Sequence, residues 1–287
     1  MKSKIIDPDY DNSVEIAEGI YWVGFHDAQS GLHCNPYLII DNEEALVIDG
    51  GSRPDFATVM MNILETGIDP KQIKALVYQH YDPDLCGSIP NFEDIIGRED
   101  LEIISDSENL MFIRHYSIVS NLISLSKIKY QYRFSSGRKI YFTKTPYAHS
   151  AGSFVTFDAK TGVLFTSDLF GSYGKYWQLY LRLTEDCFNC RDYTSCVRNL
   201  PECPMVGIQY FHKNIMTSTR ALRYALEVIS KISFDIIAPQ HGSVIKDKET
   251  IKYIFRVLGS LEKVGIDKAV GEDYAPNFAS FDKRWQR

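Results

Sequence analysis

The chain has no run of about 18 apolar residues, so no segment reads as a bilayer span. It has no block of basic residues either: Lys and Arg are interspersed with Asp and Glu, and the net charge is -6. That balance lacks the electrostatic footprint of a nucleic-acid binder or of a protein drawn to an anionic membrane. The first residues, MKSKIIDPDYDNS, lack the apolar stretch of a secretory signal, and a cytoplasmic protein is expected. No internal repeat, low-complexity tract or Pro/Gly/Ser-rich linker divides the sequence, so residues 1–287 read as one domain.

What is present is an ordinary globular core. Apolar residues make up 45% of the chain, enough to fill a complete interior. The runs GIYWVGF (19–25), PYLIID (36–41) and EALVIDGG (44–51) are rich in aromatic and β-branched residues and predict strands. In PDFATVMMNILETG, Phe56, Val59, Met60, Ile63 and Leu64 recur at helical spacing, and Gly67 is a stop. IKALVYQ (73–79) predicts a compact buried strand, and ENLMFIRHYSIVSNLISLS (108–126) a helix. KIYFTKTP, SFVTFDAKTGVLFTSD and FDIIAPQHG predict further strands, with a hairpin around DAKTG, and helices are expected at 217–231 and 248–265. Strands and helices mix along the chain, as in a layered α/β fold.

Polar residues follow four of these strands. His80, Asp82 and Asp84 come after IKALVY, His149 after KIYFTKTP, Asp168 after GVLFTS, and His241 after FDIIAPQ. In layered α/β proteins functional groups gather where strands hand over to loops. A single His or Asp in a loop is usually a cap or a surface group. Three histidines and three aspartates at four strand ends are a set large enough for two metal ions. If residues 80–84 are extended, His80, Asp82 and Asp84 project on one side; if they coil, the three fan around a pair of ions. A carboxylate such as Asp168 can bridge two cations and offset their repulsion. Imidazole with carboxylate suits iron, zinc or manganese.

These motifs resemble the metallo-β-lactamase fold, an αββα sandwich with its metal site at one edge. They are most similar to its diiron branch: the lactamase-like domain of flavodiiron proteins and the stand-alone oxygen-binding diiron proteins. The resemblance runs from GIYWVG to APQHG, through HSAGS and LFTSDLFG. The family motif is H-x-[EH]-x-D-H, followed by a His, a bridging Asp and a final His. Here it begins His80-Tyr81-Asp82-Pro83-Asp84-Leu85, and Asp82 takes the acidic position that marks iron rather than the histidine of the zinc hydrolases. Carried over, the resemblance implies one iron held by His80, Asp82, His149 and Asp168, and a second held by Asp84, Asp168 and His241. Asp168 would bridge them. Leu85 departs from the pattern, because it stands where the family usually has a histidine. The second ion then has one protein ligand fewer, which leaves either an open coordination position or a weakly held ion. Cys86, one residue on, reads as a small buried hydrophobe rather than a substitute ligand. His26 and His33 read as surface or core residues near the site, and His115 and His212 as structural.

Four of the six cysteines fall in one segment, at about 186–204: Cys187, Cys190, Cys196 and Cys203. Thiols at this density suit a structural zinc or an iron–sulfur cluster. Free thiols or a redox-active disulfide pair are the plainer reading. The family resemblance does not supply this inference.

The flavodiiron enzymes reduce O2 or NO with electrons from a flavodoxin-like domain. No phosphate-cradling loop for FMN follows the last helix, so no FMN is expected in this chain. The resemblance therefore implies a non-haem diiron protein that binds, senses or reduces O2 or NO. An external redox donor or a signalling partner protein would serve it, and a homodimer is implied. The alternative is a zinc-dependent hydrolase, in which a metal-bound hydroxide attacks an ester, thioester or lactam. Asp82 in place of His argues against it.

Overall fold

The structure is a computed structural model of the chain and describes residues 10–27, 30–116, 118–190 and 200–271. Two sheets face one another. The first runs β1 (Val14–Ala17), β2 (Ile20–Trp22), β3 (Tyr37–Asp41), β4 (Glu44–Ile48), β5 (Ile73–Val77), β6 (Glu102–Ser105) and β7 (Asn121–Ser124), in that spatial order. Its early strands are antiparallel, and those from β4 onward are parallel. The second sheet contains β8 (Gln131–Arg133), β9 (Lys139–Lys144), β10 (Phe154–Asp158), β11 (Val163–Phe165) and β12 (Ile236–Ala238), ordered 12-11-10-9-8. The β10–β11 pair closes around DAKTG as the expected hairpin.

The period-2 alternation of each strand builds the layers. From β4, Leu46 and Ile48 face inward with Val77, Phe142, Phe154, Val163 and Phe165 to form the core between the sheets. Their neighbours Ala45 and Val47 face outward, with Leu38, Leu76 and Ile103. That outer face is covered by α1 (Phe56–Glu65), α2 (Pro83–Cys86), α3 (Ile89–Ile96) and α4 (Ser107–Ile113). The second sheet does the same: Val155, Leu164 and Ile237 face helices rather than the other sheet. Its helical side includes α5 (Glu185–Asn189), α6 (Pro204–Ile215), α7 (Thr219–Ile229) and α8 (Lys248–Gly259), with α9 (Ile266–Val270) following. The result is the αββα sandwich that the sequence implies.

The helix expected over 248–265 ends at Gly259, and a second element departs further. Residues 108–126 are not a single helix: α4 ends at Ile113, a short 3-10 turn covers Arg114–Tyr116, and β7 adds a parallel edge strand beside β6. The apolar spacing of MFI and IVSNLIS fits either period, and the open edge of β6 decides for the strand.

Two polar fasteners cross the apolar interior. Gln79 follows β5, and its Nε2 lies 3.0 Å from the Phe165 carbonyl, 3.2 Å from that of Phe154 and 3.3 Å from Thr156 Oγ1. Its Oε1 accepts from Ser167 N at 3.1 Å, and its own backbone N–H donates to Asp49 Oδ1 at 2.9 Å. One side chain thus ties the residue before His80 to the residue before Asp168. At the opposite ends of β9 and β10 from the 145–153 turn, Arg138 forks onto Asp158 at 2.7 and 3.0 Å and donates to the Ile40 carbonyl at 3.1 Å. Both partners are buried. Arg138→Ala strands the Asp158 charge and is expected to cost about 3–5 kcal/mol, the range for removing one partner of a buried pair. Chemical denaturation of the metal-free protein checks this; a loss below about 1 kcal/mol, the level of an exposed ion pair, would show that the fork does not hold the sheets.

Candidate metal centre

The strand ends of both sheets converge on one edge. His80 follows β5 in a bend, and the chain turns at once into α2, with Asp82 at its N-cap and Asp84 in its first turn. Pro83 at the first helical position fixes that start. Residues 80–84 therefore coil, and their three side chains fan instead of lining up. His149 sits in the tight turn between β9 and β10, where Thr145 N donates to Ser153 O and Tyr147 N to Ser150 O. Asp168 follows β11 and His241 follows β12. Gly242 comes next with φ +84°, and a Cβ there would run into Ser172.

All six predicted site residues come together. Asp168 is at the centre. Its Oδ1 lies 3.8 Å from His80 Nε2 and 3.7 Å from His241 Nε2, and its Oδ2 lies 3.9 Å from His149 Nδ1. On one side Asp82 Oδ2 is 2.9 Å from His149 Nε2 and 3.9 Å from His80 Nε2. On the other, Asp84 Oδ2 is 3.2 Å from His241 Nε2. His80, Asp168 and His241 form a buried floor, whereas the side chains of Asp82 and Asp84 are about a third exposed and make a rim.

The ligand rings are held from behind. His80 Nδ1 is 3.0 Å from Ser167 Oγ, and His241 Nδ1–H donates to the His33 carbonyl at 3.1 Å. His149 Nδ1 lies 3.4 Å from the Ile215 carbonyl. The His80 and His241 rings thereby keep Nε2 turned toward the carboxylates, the arrangement that metal-ligating histidines usually show, while His149 presents Nε2 to Asp82 and Nδ1 to Asp168.

Whether these residues fit a metal can be asked of Asp168 itself. It is only 3% exposed, and its Oδ1 has no hydrogen-bond partner among the described residues. An unpaired buried carboxylate oxygen is costly unless a cation meets it. Distances of 3.7–3.9 Å to ring nitrogens are too long for hydrogen bonds. They are close to the spacing, roughly 3–3.5 Å, of two atoms that each sit about 2.1 Å from a shared ion. The donors also fall into three overlapping triplets of ligand atoms, each within 4.8 Å: His80, His149 and Asp168; Cys34, Asp84 and His241; and His80, Asp82 and Asp84, which links the other two. The residues fit two ions, one on each side of Asp168.

Sequence reading missed Cys34, Asp49, Gln79, Ser167 and Gln240. Gln240 Nε2 is 3.4 Å from Asp84 Oδ2. Asp49 is buried at the end of β4 and accepts from the N–H before His80; burial pushes its carboxyl well above the usual range. The only forward sign of these residues was their place beside the strand ends. His33 reaches the site by its carbonyl and not its ring, which stacks on Trp177 with centroids 4.7 Å apart. His26 stacks on the same tryptophan. His212 is structural: buried, it accepts from Phe170 N at 2.9 Å, and burial pushes its ring down to about 4. His115 is exposed. Leu85 is buried among the outer apolar residues of the first sheet, and Cys86 Sγ points to the His80 carbonyl at 3.6 Å, away from the carboxylates. Of the four clustered cysteines, Cys196 lies outside the described residues. Cys187, Cys190 and Cys203 belong to none of the ligand groups found among the described residues.

A scan against family models matches residues 32–242 to the family described as ODP family beta lactamase. The type A flavoprotein FprA of Rhodobacter capsulatus is 26% identical over 253 residues, 81% of this chain and 52% of that protein. The chain thus spans about half the length of this curated relative. A structure of the chemotaxis sensor ODP, in a peroxy diiron species, superposes with a TM-score of 0.70 at 21% identity, covering 90% of this chain and 98% of that one. Rubredoxin oxygen:oxidoreductase of Desulfovibrio gigas superposes with a TM-score of 0.70 at 20% identity, covering 86% of this chain and 61% of that one. At these identities the structural likeness establishes the fold.

The site charges set a pH dependence. Burial pushes the His149 ring down, but the Asp82 hydrogen bond and the charges of Asp168 and Asp82 outweigh it and raise it from 6.5 to about 9. His241 is also raised well above its ordinary value: burial lowers it, and Asp84 and Cys34 outweigh that. A histidine raised on folding stabilises fully below its unfolded value and loses that contribution as pH rises through the folded value. The thermal midpoint of metal-free protein is therefore expected to fall between pH 6.5 and about 9. Metal affinity should move the opposite way over the same window, because ligation needs neutral rings. Calorimetry of metal-free protein and metal titrations at several pH values check both signs; a flat or rising midpoint would contradict the paired charges.

Proposed function

The chain belongs to the ODP family of beta-lactamase domains, and from that premise we propose that it is a non-haem diiron protein that binds O2, or NO, at the edge of the sandwich. The observation that carries this reading is Asp168 Oδ1, buried without a donor midway between His80 and His241. His80, Asp82, His149 and Asp168 would hold one iron, and Asp84, Asp168 and His241 the other. When bound, two ferrous ions supply the electrons and the open coordination that a diatomic gas requires. The chain's own part is positioning. Ser167 and the His33 and Ile215 carbonyls aim the rings, and Gln79 sets the distance between the His80 and Asp168 loops. Phe211 packs against the His241 ring with centroids 5.5 Å apart and shields one side of the floor from water. The partly exposed rim of Asp82, Asp84 and His149 leaves a path for a small ligand.

Sensing through a partner protein and reduction fed by a separate donor both use this site. Likeness along nearly the full length of a chemotaxis sensor favours gas binding with a signalling output. A homodimer forms part of the same proposal. A zinc or iron–sulfur centre at Cys187, Cys190, Cys196 and Cys203 is a separate proposal, which zinc content and acid-labile sulfide content together decide.

Protein loaded anaerobically with ferrous ion is expected to hold two irons per chain at the site and to change its visible spectrum on exposure to O2. Asp168→Ala should hold one iron or none and show no such change. Metal analysis and difference spectra check this. Zinc in place of iron, with hydrolysis of an ester or lactam, would overturn the gas-binding reading. Steady O2 or NO consumption with an added reductant would assign reduction rather than sensing.

A further inference from the structure

The two halves of the site are unequal. The His80 side has two imidazoles and Asp82, whereas the His241 side has one imidazole and Asp84. Leu85 cannot redress this, since its side chain is fully buried in the outer apolar layer. A different residue faces the poorer half. Cys34 Sγ lies 3.9 Å from Asp84 Oδ2, which is itself 3.2 Å from His241 Nε2, and 3.9 Å from the other ring nitrogen of His241, Nδ1, which the His33 carbonyl holds; one donor atom from each of the three falls within 4.8 Å of the others. Asp168 Oδ1, buried and without a donor, lies 3.7 Å from His241 Nε2 and 3.8 Å from His80 Nε2, so it faces both halves.

We propose that Cys34 is a thiolate ligand of the second metal ion, completing the set of Asp84, Asp168 and His241. The inference rests on the two-ion reading above and assigns a residue to it.

The backbone fixes Cys34 in place. Cys34 and His241 form an antiparallel bridge. On one side of it the His33 carbonyl accepts from the His241 ring; on the other, Asn35 N donates to the Gln240 carbonyl at 2.8 Å. The Asn35 amide donates to the Pro239 and Gly242 carbonyls at 3.0 and 2.8 Å and accepts from Trp22 Nε1 at 2.8 Å. The 33–35 and 239–242 segments are thus one rigid unit, and the thiol has little freedom to leave the carboxylates.

Charge supports the assignment. Asp82, Asp84 and Asp168 supply three negative charges against the four positive charges of two divalent cations. A thiolate supplies the fourth, so the buried centre is neutral with all three imidazoles neutral. Sulfur is also a soft donor, which favours iron, cobalt or zinc over magnesium or calcium at this position. Loading the second ion would release the thiol proton to solvent.

The test uses the full chain, stripped of metal and titrated with cobalt(II). Wild type is compared with Cys34→Ser and Cys34→Ala. Wild type should bind two cobalt ions and develop a near-ultraviolet sulfur-to-cobalt charge-transfer band with the second equivalent. Both variants should lose that band and bind the second ion about tenfold more weakly or worse, with the first ion unaffected. Because a variant can fail for reasons of folding, wild-type protein is also alkylated with and without cobalt and Cys34 is followed by mass spectrometry. The metal should protect it. A second ion bound with wild-type affinity and an unchanged band in Cys34→Ser, or Cys34 alkylated equally with and without cobalt, would overturn the assignment and leave the two-ion reading standing. Wild type that takes up only one ion near Asp168 would overturn both.

Discussion

The structure turns on a buried carboxylate, Asp168, whose Oδ1 has no hydrogen-bond donor among the described residues and only ring nitrogens beyond bonding distance around it. Asp168 is 3% exposed, sits where both sheets end, and has ring nitrogens around it at distances too long to bond. Burying such a group without a donor costs several kcal/mol. The surrounding elements lead to this point: β5 delivers His80, the 145–153 turn His149, β11 Asp168 itself, and β12 His241. Two cations, one on each side, make sense of the distances and of the burial together.

Holding three carboxylates and three imidazoles so close calls for a well-tied frame. Gln79 bolts the two loops across the interior, and several residues near the site keep a positive φ that is uncommon outside glycine: Asp49 at 54°, His149 at 90°, Ser167 at 53° and Phe170 at 67°. Such backbone strain persists where surrounding contacts over-determine it, and it collects at functional sites. Here the contacts are visible. Ser167 N is tied to Gln79, Phe170 N to His212, and the turn carrying His149 is closed by Thr145 and Ser153. Under the two-ion reading, local strain is exchanged for donor atoms held in place before any ion binds.

Much of this was legible in the sequence because it follows short-range rules. Compact apolar runs rich in aromatic and β-branched residues placed β3, β4, β5 and β10, and the polar residue after each buried strand marked His80, Asp82, Asp84, His149, Asp168 and His241. What escaped depends on contacts that no local period records. The approach of residues 33–35 to 239–242 brings Cys34 beside Asp84, yet nothing in the sequence around Cys34 distinguishes it from a core thiol. Gln79 was read as the end of a strand, and its role comes from carbonyls some 75 to 86 residues away. The helix expected over 108–126 failed because its apolar residues fit two periods, and the open edge of β6 chose between them. The four clustered cysteines drew attention by density, while the thiol that meets the carboxylates was an isolated one.

The central claim is that two ions flank Asp168. Crystals of anaerobically iron-loaded protein, measured on either side of the iron absorption edge, test it most directly. Two anomalous peaks are expected, one among His80, Asp82 and His149 and one between Asp84 and His241, with an Asp168 oxygen toward each. A single peak, or an Asp168 turned to a protein donor with no metal beside it, would contradict the account.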